Sequence, residues 1–220
     1  MNELLQLLSV DNIFFTVIGY PISYIEFVGT IFTLASVVLV AKRNILTWPV
    51  SLVGVVLFGI LFYQINLYAD LFEQIYYFIT SIWGWYMWKA TKDINKKDKK
   101  VEIRKNSAKE NGYWLLGIAV TSVIASIALA NIHILLPQFF PEPASLPTLD
   151  ATTTVVSFAA TILMMKRKLE SWILWVCVDV VAIGLYWYKE VPFIALLYLI
   201  FLVIATLGFF NWRAVMREQK

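Results

Sequence analysis

One cysteine, Cys177, and one histidine, His133, are the whole supply of the two residue types that most often hold metals or carry nucleophilic catalysis in this 220-residue chain. They lie far apart in sequence, so neither a Cys-His pair nor an H-E-x-x-H helix can be built from them. A single cysteine also excludes a disulfide scaffold, and 9 glycines with 7 prolines exclude a collagen-like or low-complexity chain. Charge is scarce as well: 15% of residues are charged, where soluble domains have about 25%. No G-x-x-x-x-G-K-[ST] element is present, so nothing implies ATP. What remains is 60% hydrophobic and 16% aromatic. Such a chain belongs in a lipid bilayer, and its length leaves no room for a separate soluble catalytic domain.

Apolar runs bounded by charge or turn residues mark core spans at 22–41, 48–66, 71–88, 113–132, 150–165, 172–188 and 193–212. Basic residues in short loops stay on the cytoplasmic side. Every Lys and Arg except Lys189 falls in 42–47, 89–112, 166–171 or 213–220, which are alternate connections. This partition predicts a cytoplasmic carboxyl terminus and, with seven crossings, an outside start to the first core span. The net charge of +3 is thus a topology signal and gives no ground for a nucleic-acid partner. Residues 1–21 are apolar but carry Glu3 and Asp11, and read as an interfacial helix or, alternatively, an eighth span. Residues 90–112 read as a solvated basic linker ahead of a lone span at 113–132. A stiff proline-rich outer loop follows at 133–149, and 214–220 form a cytoplasmic tail. His133, at the start of the outer loop, reads as structural.

Sliding the chain on itself by 124 positions aligns Lys42-Arg43 with Lys166-Arg167, Trp48 with Trp172, Leu61 with Leu185, Gly84 with Gly208, Trp88 with Trp212 and Lys89 with Arg213. Composition predicts about 0.1 Trp-on-Trp match in such a window, yet two occur without a gap. Interfacial anchoring explains Trp and Lys at span ends; it does not explain a constant register. The two units, 22–89 and 150–213, both begin outside, so they are parallel repeats, and the extra span between them restores that orientation. The expected architecture is an all-α integral membrane protein of seven core helices arranged 3+1+3.

With the stretches FGILFYQINLYADLFEQ and YYFITSIWGWYMW, the L-x-x-Q pattern at Leu71 to Gln74 and the W-x-x-W at Trp172 and Trp175, the chain resembles the PnuC family of vitamin transporters over nearly its whole length. The resemblance implies a fold like that of a full-length SWEET protein and nicotinamide riboside as cargo. It also implies a homotrimer, and cytoplasmic phosphorylation by a nicotinamide riboside kinase that traps the cargo after facilitated diffusion.

Polar residues at midplane depth are costly, so they are the candidate cargo contacts. Trp172, Trp175 and Asp179 fall at i, i+3 and i+7 on one helical face; Gln74, Tyr77 and Ser81 share the same spacing, with Glu73 adjacent. The repeat partner of Gln74 is Tyr198. For a flat pyridinium with a carboxamide and a ribose, aromatic faces attract the ring, Gln74 suits the carboxamide, and Asp179 or Glu73 suits the hydroxyls or the charge. Plainer roles stand beside these: Trp172 as an interfacial anchor, Asp179 as a structural hydrogen-bonder, Tyr77 as packing. Glycines in the spans serve close helix approach, and the segment 44–49 ending in Pro49 is the natural hinge. No cofactor is called for and an intramembrane enzyme lacks its base and nucleophile. Thiamine, another cationic heteroaromatic alcohol, is the alternative cargo.

Overall fold

In the computed structural model, residues 6–65, 67–94, 102–144, 146–188 and 192–218 are described. Two short strands, β1 (Ile13–Val17) and β2 (Tyr20–Ser23), precede eight helices. These are α1 (Tyr24–Ala41), α2 (Thr47–Gln64), α3 (Tyr68–Ile94), α4 (Ala108–Ala130), α5 (Ile132–Leu135), α6 (Pro147–Met165), α7 (Glu170–Tyr188) and α8 (Pro192–Glu218). Local chemistry starts them where expected. Ser23 caps α1 by accepting from the Glu26 amide, Ser107 and Glu110 form a capping box on α4, and Pro147 opens α6. Six of the helices, α1, α2, α4, α6, α7 and α8, are long and apolar enough to cross a membrane by length and composition. The expected span 71–88 lies within α3, which at 27 residues is about 40 Å long. Its many Trp and Tyr, with Glu73 and Gln74, lower its hydropathy below that of the others.

Antiparallel packing runs α1 on α2 on α3 and, separately, α6 on α7 on α8, while α4 lies against α6. The two triplets meet along two seams, α1 with α8 and α3 with α6. At the end that carries the Lys-Arg loops, features recur at the 124-residue interval. Lys42 and Lys166 close α1 and α6, and the next residues, Arg43 and Arg167, take left-handed φ values of 58° and 57°. In each turn the arginine amide and the following amide reach back to the helix's last carbonyls (Arg43 to Val40 and Asn44 to Leu39; Arg167 to Met164 and Lys168 to Leu163), which is the Schellman geometry. Trp48 occupies the space a Cβ on Gly84 would need, and Trp172 does the same at Gly208. Each indole meets a second one edge-on, Trp48 on Trp88 at 5.4 Å and Trp172 on Trp212 at 5.5 Å. The second indole of each pair also stitches a seam: Trp88 Nε1 donates to the Met165 carbonyl and Trp212 Nε1 to that of Val40, both at 3.1 Å.

Four expectations about the connecting segments need correction. Residues 13–23 are not helical; they form an antiparallel hairpin pairing Val17 with Tyr20, and residues 1–5 lie outside the described part. The β-branched and aromatic run Ile13–Val17 favours strand. Ile18 (φ 49°) and Gly19 (φ 77°) supply the two positive φ values of a tight hairpin turn. The basic linker is not wholly solvated either. Residues 95–101 lie outside the described part, but Ile103, 3% exposed, sits in the tryptophan cluster. Beside it Arg104 exchanges backbone hydrogen bonds with Arg167 and Leu169. Two apolar residues, Val101 and Ile103, in a charged run are too short a pattern to read as a buried element, so this docking was invisible to pattern reading. The tail expected from 214 continues α8 as far as Glu218, and the outer loop contains the single-turn α5.

Candidate functional site

Between the tryptophan cluster and the hairpin end, α3, α6, α7 and α8 bring most of the candidate residues together. Glu73 on α3 accepts a 2.6 Å hydrogen bond from Thr154 Oγ1 on α6. One turn deeper, Tyr77 of α3 lies near Ser157 of α6. Tyr76 donates to the Phe158 carbonyl at 2.9 Å, with the two rings stacked at 3.8 Å between centroids. From α8, Tyr198 stacks on Tyr186 of α7 at 5.5 Å and 14°, close enough to Glu73, Asp179 and Asp70 to feel their charge. Tyr77 senses both Glu73 and Tyr198. Asp179 is 3% exposed and lies on the α7 face that also carries Trp175, Ala182 and Tyr186, at helical spacing. A carboxylate buried at this depth needs a counter-charge or donors to be tolerated.

Gln74 faces a different neighbour. Its Cβ lies beside α2, 3.8 Å from where a Cβ on Gly59 would stand, which is ordinary contact distance. Trp172 is displaced furthest from its expected setting. At 1% exposure, under Gly208 and against Trp212, it belongs to the tryptophan cluster. Trp175, one turn further along, packs on that cluster and is only partly buried. It therefore links the indole floor to Asp179. The sequence reading missed Tyr76, Thr154, Ser157, Phe158 and Tyr186. Tyr186 alone had a usable signal, seven residues after Asp179 on the same face. The α6 residues had none, because Thr and Ser in a span read equally well as packing against their own backbone, as Thr161 does on Ser157.

At the far end of the site the hairpin closes over the helix ends. The Tyr20 hydroxyl donates to Glu26 Oε1 at 2.9 Å, and its ring stacks on Phe193, at the start of α8, at 5.3 Å and 11°. Burial and the adjacent Glu26 carboxylate push the Tyr20 phenol well above its ordinary value, so it stays a hydrogen-bond donor throughout the physiological pH range.

Membrane-length helices in two packed triplets, with carboxylates, tyrosines and hydroxyls gathered where they meet, are the equipment of a solute transporter, not of an enzyme. The sequence pattern of the family described as nicotinamide mononucleotide transporter matches residues 23–214. The chain belongs to that family. It is 31% identical over 216 residues to the nicotinamide riboside transporter PnuC of Escherichia coli (strain K12), covering 91% of this chain and 90% of the relative. It is 28% identical over 224 residues to the PnuC of Neisseria mucosa, covering 98% and 81%. The riboflavin/roseoflavin transporter RibM of Streptomyces davaonensis is 27% identical over 199 residues, covering 90% and 88%. Among solved structures, the crystal structure of the vitamin B3 transporter PnuC matches with a TM-score of 0.67 at 24% identity, over 90% of this chain and 83% of that one. At that identity the structural likeness speaks for the fold.

Proposed function

We propose that this chain takes up nicotinamide riboside across the bacterial inner membrane, binding it between the triplets against Glu73, Gln74, Tyr77, Trp175, Asp179 and Tyr198, with Trp172 as the floor beneath Trp175. The observation that carries the reading is the placement of two carboxylates and two tyrosines from three helices around one buried region of a transporter-family chain. A pyridinium ring gains about 0.5–2 kcal/mol over an aromatic face. A carboxylate can offset its charge, and the phenols and Gln74 offer partners for ribose and carboxamide.

In this reading α3 is the seventh crossing and the triplets are parallel repeats in a 3+1+3 arrangement. The recurrence of the Trp-Gly contacts and of the left-handed arginine turns at 124 residues supports it. The concentration of Lys and Arg at the same end supports a cytoplasmic carboxyl terminus. Transport is facilitated diffusion with alternating access, rocking one triplet against the other. The inside-negative potential draws a cation inward with about 2.3 kcal/mol per 100 mV, and phosphorylation by a cytoplasmic kinase keeps it there. A homotrimer, as the resemblance implies, completes the proposal.

The RibM relative favours one second reading, a flavin or another heteroaromatic vitamin such as thiamine in the same site. Equilibrium titration of purified protein with nicotinamide riboside, nicotinamide mononucleotide, riboflavin and thiamine separates them. The proposal expects nicotinamide riboside to bind tightest and to cross proteoliposomes chemically unchanged; tighter binding of riboflavin or thiamine would transfer the assignment to that cargo.

A further inference from the structure

The two seams between the triplets are built alike at the tryptophan end and differently at the other. At the tryptophan end, each seam is closed by an indole donating to a carbonyl of the opposite triplet, Trp88 to Met165 and Trp212 to Val40. Asn211 adds a 2.7 Å bond to the Ala41 carbonyl. Toward the hairpin end, the α3/α6 seam is closed by side chains of the helices themselves, Thr154 to Glu73 and Tyr76 to the Phe158 carbonyl. Among the described residues, the α1/α8 seam shows no equivalent set of side-chain bonds at this end. The positions 124 residues on from Glu73, Tyr76 and Tyr77 are Leu197, Ile200 and Phe201, whose side chains neither accept nor donate, so Thr30, the counterpart of Thr154, has no carboxylate at the position matching Glu73. Across that seam lies Tyr20, bonded to Glu26 in the first turn of α1 and stacked on Phe193 in the first turn of α8.

We propose that the hairpin supplies the lock that the α1/α8 seam lacks, with Tyr20 as the residue that holds the hairpin-end mouth of the cargo path closed. The hydroxyl ties β2 to the first triplet and the ring ties it to the second, so separating the triplets at this end breaks one contact or the other. A hydrogen bond to a carboxylate is among the stronger neutral-to-charged contacts, and a stacked aromatic pair adds to it. Tyr186 lies near Tyr20, and it stacks on Tyr198. The lock is therefore one ring removed from the proposed cargo contacts. Tyr20 acts as a positioning residue: it controls when cargo enters, without touching it.

This inference rests on the transport reading for its kinetic test and on structure alone for its second test. Stopped-flow mixing of nicotinamide riboside with purified wild type, Tyr20→Phe and Phe193→Ala measures both rate constants and the equilibrium constant. A lock that opens for both entry and exit predicts that Tyr20→Phe raises association and dissociation together by about tenfold, with affinity unchanged within about twofold. Weaker affinity through dissociation alone would make Tyr20 a cargo contact and overturn the proposal. The second measurement needs no cargo: hydrogen exchange of the second-turn amides of α1 and α8, the first that are bonded within the helix, should quicken in both variants, while those beside Trp212 stay as they are. Unchanged exchange at the hairpin end in both variants overturns the lock. If wild type fails to bind nicotinamide riboside, the cargo assignment has failed and the exchange comparison still decides the lock.

Discussion

At the basic end of the bundle, Trp48, Trp88, Trp172 and Trp212 fill the space between the triplets, with Trp88 and Trp212 fully buried at 0% exposure. Toward the hairpin end, the same helices contribute Tyr77, Tyr186, Tyr198, Glu73 and Asp179 instead. Indoles set into glycine gaps form a close-packed contact with few ways to rearrange. Phenols and carboxylates joined by hydrogen bonds can exchange those partners for a solute's at little net cost. In this state the indole end is closed by packing, whereas the contacts at the other end are of the kind a polar solute can take over, and substitutions should separate the two by what they change.

The largest effect falls on the packed end. Trp212→Ala removes a fully buried indole, its bond to Val40 and its edge contact with Trp172. It should lower stability by about 3–5 kcal/mol, read as a drop in melting temperature in detergent. Next comes Gly208→Ala, whose Cβ would collide with Trp172 and should cost about 1–3 kcal/mol. Gly84→Ala meets Trp48 in the same way and should cost a similar amount. Gly117 and Gly184, with no atom near the place of a Cβ, give the contrast: alanine there should be neutral or stabilising by up to about 1 kcal/mol. Equal losses at all four glycines would mean that helix propensity, not the indole contact, governs the packed end.

The polar end should respond in binding instead. Asp179→Asn keeps the shape and removes the charge, so it should weaken nicotinamide riboside about tenfold, equal to about 1.4 kcal/mol, and leave the uncharged riboflavin unaffected. Competition titration reads both, and equal weakening of the two ligands would remove Asp179 as counter-charge. The smallest expected effect is in the hairpin: Gly19→Ala, at φ 77°, should cost about 1 kcal/mol. That loss belongs in the exchange of the strand amides, with the tryptophan end untouched.

Much of this contrast was readable in the residues. Trp48 and Trp172, Gly84 and Gly208, Trp88 and Trp212 announced themselves because Trp and Gly are rare enough in this chain for a shared register to mean something. Asp179, Glu73 and Tyr77 were singled out because polar atoms are expensive at that depth, and Tyr198 as the repeat partner of Gln74. The α6 partners Thr154 and Ser157 were hidden, since a hydroxyl in a span can satisfy itself on its own helix. The role of Trp172 was blurred for a related reason: a helical face gives direction but not depth, and only the contact with Gly208 shows that this indole belongs to the packed end. The hairpin was missed because Ile13 to Tyr20 is as apolar as an interfacial helix, and its turn depends on a positive φ at Ile18, a residue that rarely adopts one.

The most direct test is a titration of nicotinamide riboside into purified wild type and the Glu73→Gln/Tyr198→Phe double variant, with melting temperatures measured alongside. A cargo site among the tyrosines and carboxylates predicts saturable binding to wild type and a loss of at least about tenfold in the double variant, with melting within a few degrees of wild type. Equal affinity in the two folded proteins would contradict it and place the cargo elsewhere in the bundle.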